Sequence, residues 1–186
     1  MDVIALAQAG FDHAVAPLGT AITEDQLLLM WRLHPEPVIA LDGDQAGLKA
    51  AIRLIDIALP MLEPGRSLRF CMLPEGLDPD DLLRSQGPGA MQKLLETARP
   101  MVDLLWQRET EGTVYDSPER RATLDASLRT ALAKIRDTSI RNHYTAAIKV
   151  FRSELFAPPR RNASGSPSKG YGKGFTKGFG RVQNPM

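Results

Sequence analysis

The sequence of 186 residues has very little cysteine and no long apolar run. Cys71 is the only cysteine, so a disulfide framework is excluded and a cytoplasmic setting is expected. His13, His34 and His143 are scattered along the chain, and with a single cysteine they give no zinc-ligand spacing. No apolar run approaches the roughly 18 residues of a membrane span. We therefore expect no membrane partner.

Several motifs of common enzyme classes are also missing. The sequence contains no Walker-type phosphate loop, no nucleophile elbow and no Ser/His/Asp spacing. These absences argue against nucleotide hydrolysis of the Walker type and against a serine hydrolase. Any catalytic chemistry has to come from other residues.

Charge is distributed unevenly along the chain, although the net charge is only +1. From residue 157 onward six basic residues and no acidic ones give +6, so the part before it carries −5. This tail is rich in Gly, Ser and Pro, which predicts disorder. Its alternating lysines and aromatic residues indicate either a solvated linker, the favoured interpretation, or a segment that binds nucleic acid. The candidate nucleic-acid-binding residues are Lys169, Tyr171, Lys173, Phe175, Lys177 and Phe179.

Short apolar segments alternate with helical patterns in the first half of the chain. Residues 11–18, 38–41 and 68–73 are predicted strands, and the alternation predicts a parallel sheet with flanking helices. After Asp78 the sequence gives five helical patterns and no convincing strand. The predicted fold class is therefore α/β, followed by an all-helical subdomain and a disordered tail.

Acidic residues follow two of the predicted strands. Asp42 and Asp44 follow the strand at 38–41, and Asp78 and Asp80 follow the next one. Parallel strands deliver their carboxyl ends to one edge of a sheet, so these carboxylates could face one cleft. Such a cleft would suit one or two divalent metals that act on a phosphoryl group. The alternative interpretations, with about equal weight, are a simple turn at Asp42-Gly43 and capping of the following helix by Asp78 or Asp80.

Two stretches, DGDQAGLKAA at 42–51 and LPEGLDPDDLL at 73–83, resemble the toprim domain of bacterial DNA primase. Three further stretches extend the resemblance to primases specifically: MDVIALAQAGFDHAVAPLGTAIT, LPMLEPGRSLRFCMLPEG and ETARPMVDLLW. The resemblance reaches about residue 156. It implies a partial toprim domain over residues 1–98, a helical subdomain of the primase core over 99–156, and a basic tail over 157–186.

The resemblance implies a DNA-directed RNA polymerase that makes short RNA primers on single-stranded DNA from ribonucleoside triphosphates. Asp42 and Asp44 would be catalytic and, with Asp78 and Asp80, would bind Mg²⁺ or Mn²⁺. Lys49 would attract phosphate, with a solubilising surface lysine as the alternative. The zinc-binding domain of the family and its region that binds the replicative helicase do not resemble any part of this sequence. Zinc is therefore not expected here, and a helicase contact would use another region.

The sequence departs from the family at its amino terminus. In primases a strand that ends in Glu-Gly-Tyr runs directly into the Met-Asp-Val with which this sequence begins, and that glutamate takes part in toprim chemistry. We therefore expect Met1 to be an internal methionine of a longer reading frame, and the isolated chain to be poorly stable with little or no primase activity. Two other functions stay open: a non-catalytic nucleic-acid or replisome-binding protein, and another toprim phosphotransferase such as a nuclease.

Overall fold

The computed structural model describes residues 2–17 and 21–157. Its sheet has three strands in the order β1 (Val38–Leu41), β2 (Arg69–Met72) and β3 (Arg99–Pro100). β1 and β2 are parallel, with Ile39 opposite Phe70, whereas β3 is antiparallel to β2. The α/β class predicted from the sequence is confirmed, but the sheet is mixed rather than purely parallel.

Eight α-helices surround this sheet in the described residues. They are α1 (Asp2–Gln8), α2 (Glu24–Leu33), α3 (Gln45–Ala58), α4 (Pro79–Gln86), α5 (Pro88–Glu96), α6 (Met101–Thr110), α7 (Pro118–Ala133) and α8 (Thr138–Leu155). A short 3-10 turn, Leu59–Met61, extends α3. The five helical patterns predicted after Asp78 correspond to α4 through α8.

Local capping explains where several helices begin. Thr23 and Gln26 form a capping box at the start of α2, in which each side chain accepts a hydrogen bond from the other residue's backbone N–H. Ser117 caps α7 and Asp137 caps α8 through their side-chain oxygens. Proline at the first position of α4, α5 and α7 has no N–H to leave unpaired.

Two predictions from the sequence are wrong in detail. The strand predicted over residues 11–18 is absent from residues 11–17, which form turns and irregular backbone, and Leu18 lies outside the described residues. Phe11 is buried there, but Val15 is 62% exposed, so the segment does not bury both faces as a central strand would. β3 is the second correction, since no strand was expected after Asp78. It forms because Arg99 and Pro100 pair with Phe70 and Arg69 of β2.

The main hydrophobic core lies on one face of the sheet and continues into the carboxyl-terminal helices. Ile39 and Phe70, which are paired in register, are both buried in it. The same core contains Leu105 of α6, Leu128 of α7 and Ile148 of α8. The helical part therefore shares one core with the sheet. The domain boundary after residue 98 stays a prediction.

A smaller core holds α1, α4 and α5 together. Phe11, Leu73, Leu82 and Met91 are its buried members. Leu73 directly follows β2, so this second core fixes the loop that leads out of the sheet toward α4. No helix in the described part of the chain is both long and apolar enough to cross a membrane.

Candidate functional site

The loop between β1 and α3 carries the first predicted acidic pair. Asp44 is the N-cap residue of α3, and its Oδ1 accepts a hydrogen bond of 2.7 Å from the backbone N–H of Gly47. Asp44 therefore caps α3, a role that was not predicted for it from the sequence, and other lone pairs of its carboxylate stay available. Asp42 and Asp44 are both exposed. Both are therefore accessible to a ligand from solvent.

Two glycines fix this loop by allowing close backbone contacts. A Cβ atom at Gly43 would lie 2.0 Å from the carbonyl oxygen of Leu73, and one at Gly47 would lie 2.0 Å from the carbonyl oxygen of Asp42. Neither position tolerates a side chain without backbone movement. The loop at 42–44 is thereby packed against both the start of α3 and the loop after β2.

The second acidic pair begins α4. Asp78 is its N-cap residue and accepts a hydrogen bond of 2.7 Å from the backbone N–H of Asp81. Asp80 forms an ion pair of 2.8 Å with Arg84 one helical turn further on. Capping therefore accounts for the local geometry of Asp78, and a helical ion pair accounts for that of Asp80.

The four predicted carboxylates lie after neighbouring parallel strands, but they do not form a preformed metal cage. Among residues 2–17 and 21–157, no group of three or more His, Cys, Asp or Glu side chains is placed to hold a metal ion. Mg²⁺ in phosphate-binding sites is typically held by one or two carboxylates, with waters and substrate phosphates as its other ligands. The pair Asp42 and Asp44 fits that donor set, and a closed protein site is not what the geometry supports.

An open cavity of about 520 Å³ lies at this edge of the sheet. Its wall combines the loop after β1, the end of β2, and residues of α5 and α6. Asp44 is the predicted site residue that lines it, while Asp42, Asp78, Asp80 and Lys49 are not among its described lining residues. The full lining is Gly43, Asp44, Gln45, Leu48, Phe70, Cys71, Met72, Leu73, Glu75, Leu94, Thr97, Arg99, Leu104 and Gln107.

Three polar residues of this wall were not predicted from the sequence: Glu75, Arg99 and Gln107. Arg99 Nη1 donates a hydrogen bond of 2.8 Å to Gln107 Oε1. Glu75 lies within LPEGLDPDDLL and Arg99 within ETARPMVDLLW, so both belong to stretches that carry the resemblance, but no local pattern indicates that they line a cavity.

The remaining predicted site residues are Lys49 and the candidates in the basic tail. Lys49 lies exposed on α3, as either interpretation of it required. The candidate nucleic-acid-binding residues from Lys169 to Phe179 lie outside the described residues.

Burial raises the pKa of the Cys71 thiol to about 11, so this wall residue is a thiol at neutral pH and not a nucleophile.

Comparisons with known proteins identify relatives of this chain. The Toprim domain family matches residues 1–71, which include the loop at 42–44. The DNA primase of Rickettsia felis is 41% identical over 143 residues, which make up 77% of this chain and 24% of that protein. This chain is homologous to the toprim and catalytic-core region of DNA primases. The DNA primase of Escherichia coli K12 is 38% identical over 141 residues, 76% of this chain and 24% of that primase.

Solved structures extend the homology to the fold. The structure of the DnaG primase catalytic domain bound to ssDNA matches with a TM-score of 0.75 and 35% identity, and it covers 81% of this chain and 48% of that chain. The homology thus includes the helical part after the sheet. The chain spans about a quarter of the length of the curated primases that it matches.

Proposed function

We propose that this chain forms part of a primase core that synthesises short RNA primers on single-stranded DNA during replication in the cytoplasm. The substrates would be ribonucleoside triphosphates and a DNA template, as in primases. The observation that carries the proposal is the loop at 42–44, in which two exposed acids lie at the carboxyl edge of the sheet of a primase homologue. Carboxyl edges of parallel strands are where open α/β sheets bind their ligands.

In this proposal Asp42 and Asp44 hold Mg²⁺ or Mn²⁺, and Asp78 and Asp80 supply the second pair of carboxylates. The metal would neutralise charge on the phosphates of the triphosphate and orient it for in-line attack. Gly43 and Gly47 keep the first pair in place through their backbone contacts with Leu73 and Asp42. We expect little or no primer synthesis from the isolated chain, because it spans only about a quarter of the length of the primases that it matches.

A chimera tests the proposal. The homologous segment of the Escherichia coli primase is replaced by the matching residues of this chain, and primer synthesis is measured with ribonucleotides, Mg²⁺ and single-stranded template. The parent chimera should make primers, and Asp42→Asn with Asp44→Asn should abolish synthesis. Asparagine retains the N-cap of α3, so the substitution removes charge without removing the cap.

The matched control is Asp137→Asn, which changes the N-cap aspartate of α8. This variant should make primers as well as the parent chimera. Undiminished synthesis by the variant with both Asp42 and Asp44 replaced would contradict the proposed role of the loop.

A second candidate function is non-catalytic binding of single-stranded DNA. It is favoured by the similarity of this chain to a DnaG primase catalytic domain that was solved bound to ssDNA. Such binding should occur without Mg²⁺, should weaken steeply as salt rises, and should be unchanged by Asp42→Asn with Asp44→Asn. Fluorescence anisotropy of a labelled oligonucleotide with the full 186-residue chain measures each of these properties.

A further inference from the structure

We propose that Arg99 is a phosphate-contacting residue for a metal-bound nucleoside triphosphate, because it supplies the cationic part of the cavity wall that also contains Asp44. The inference rests on the proposed function and adds to it a residue that lies more than fifty positions from the acidic loop. It is carried by the position of Arg99, by the bonding of its guanidinium and by the charges around the cavity.

The backbone around Arg99 is fixed on both sides. Arg99 pairs with Phe70 in the antiparallel register of β3 with β2. Two residues later, the N–H of Met101 donates a hydrogen bond of 3.2 Å to the carbonyl oxygen of Leu68. The backbone at Arg99 is therefore held in place by the sheet. Binding of a ligand by Arg99 then costs little additional ordering of the backbone.

The guanidinium of Arg99 is oriented but not saturated. Gln107 Oε1 accepts one hydrogen bond of 2.8 Å from Nη1, and Nε lies 3.9 Å from Asp103 Oδ2, which is too far for a hydrogen bond. The side chain is 51% exposed. A guanidinium has five N–H donors in a planar fork that matches phosphate oxygens, so most of its donors are available to a ligand.

The cavity wall carries both acidic and basic side chains. Asp44 and Glu75 are the acidic residues of its described lining, and Arg99 is the cationic one. A triphosphate that chelates Mg²⁺ needs both, since the acids attract the metal while the remaining phosphate oxygens need a cation. The volume of about 520 Å³ lies within the range of roughly 300–1,000 Å³ for small-molecule sites.

The other cations considered either have partners elsewhere or lie outside the described cavity lining. Arg69 donates from Nε and Nη2 to the carbonyl oxygen of Ala98, and Arg84 is paired with Asp80. Lys49 is exposed and is not part of the described cavity lining. These contacts leave Arg99 as the cation best placed to meet phosphate in the cavity.

Calorimetry with the full chain tests the inference, with Mg²⁺-ATP as the probe. Arg99→Gln should weaken Mg²⁺-ATP binding roughly tenfold, as expected for loss of a charge-assisted hydrogen bond. Arg99→Lys should give an intermediate affinity because it keeps the charge and loses the fork. Binding of Mg²⁺ alone should not change in either variant. The control is Arg66→Gln, whose guanidinium is paired with Glu63 outside the cavity and should bind the probe normally.

The outcomes separate this inference from the proposed function. If Arg99→Gln binds Mg²⁺-ATP like the unchanged chain while Asp42→Asn with Asp44→Asn binds it weakly, the inference is wrong and the metal role of the loop stands. If the unchanged chain shows no Mg²⁺-ATP binding, the inference is also wrong, and the primer-synthesis chimera decides the function independently. Equal thermal unfolding midpoints for Arg99→Gln and Arg66→Gln exclude a folding defect as the cause of a lost affinity.

Discussion

The α-carbon of Gly47 faces the carbonyl oxygen of Asp42 so closely that a Cβ atom at position 47 would lie 2.0 Å from that oxygen. The contact joins the first turn of α3 to the residue that follows β1. Gly47 is also the backbone donor to the Asp44 carboxylate, so the same residue positions both acids of the loop. The sequence around the loop is therefore constrained by packing as well as by any chemistry.

Gly47→Ala should destabilise the protein, because the added methyl group meets backbone and not a movable side chain. We expect a loss of roughly 1–3 kcal/mol or more in the free energy of unfolding. Gly89→Ala is the matched control, since it also lies in a helix and its Cβ would meet nothing within 4 Å. That control should be neutral or stabilising by up to about 1 kcal/mol. Urea denaturation followed by circular dichroism measures both, and equal stability of the two variants would contradict the packing argument.

Two ion pairs at Asp56 connect α3 to the helices that follow the sheet. Asp56 Oδ1 lies 2.9 Å from Arg108 Nη1 of α6 and 2.8 Å from Lys134 Nζ, directly after α7. Burial raises the pKa of Asp56, but the hydrogen bonds from Lys134 and Arg108 outweigh it, so the pKa lies below its usual value. Because folding lowers this pKa, the ionised Asp56 carboxylate stabilises the fold fully above the unfolded pKa of about 4. This stabilisation is lost as the pH falls below that value.

Asp56→Asn should therefore lower stability at pH 7 and remove part of the loss seen on acidification below about pH 4. The effect should be about 1 kcal/mol or less, because 43% of the Asp56 side chain is exposed and screening is strong. Glu63→Gln, which removes a local surface pair with Arg66, is the control and should change stability less. Thermal unfolding midpoints between pH 3 and pH 7 measure the difference, and parallel curves for Asp56→Asn and the unchanged chain would contradict the assignment.

The sequence predicted those elements whose signals are local. β1 has four consecutive apolar residues and was predicted with its observed bounds. β3 could not be predicted in this way, because a strand of two residues exists only through its pairing with β2 about thirty positions earlier. The strand predicted over residues 11–18 failed for a related reason, since its apolar composition finds no strand partner in the described part of the chain.

Of the charged residues that line the cavity, the sequence predicted Asp44 and missed Glu75 and Arg99. Aspartates after apolar strands are recognisable by spacing, and their positions after β1 and β2 are as expected. The cavity, however, is lined by residues that lie as far apart in the sequence as Gly43 and Gln107. Arg99 and Gln107 became part of it through tertiary packing of α6 on the sheet, which no local pattern encodes. Capping by Asp78 was one of the interpretations left open, and the structure shows it, whereas the cap at Asp44 was not predicted.

Cys71 should be inert in the native protein and reactive in the unfolded one. The residue is 5% exposed, and burial raises the pKa of its thiol to about 11, so almost no thiolate is present at pH 8. Ellman's reagent should therefore modify Cys71 slowly in buffer and rapidly in guanidinium chloride. A native rate equal to that of a free thiol would show that the loop and strand around Cys71 open readily.

The outer edge of β1 should control self-association of the isolated chain. In the strand order, β1 lies at one end and pairs only with β2 among the described residues, and its Val38 is 38% exposed. An open apolar edge is a template for pairing with another chain, and an edge lysine opposes such pairing. We expect Val38→Lys to reduce association as protein concentration rises, measured by sedimentation velocity.

Leu29→Lys separates edge pairing from general surface hydrophobicity, because Leu29 is 53% exposed on α2 and is not part of the sheet. If association occurs through the strand edge, Val38→Lys should suppress it and Leu29→Lys should leave it largely unchanged. Equal suppression by both variants would assign the association to exposed apolar area instead. Circular dichroism of both variants establishes that each retains the fold, which is expected because neither side chain is buried in the core.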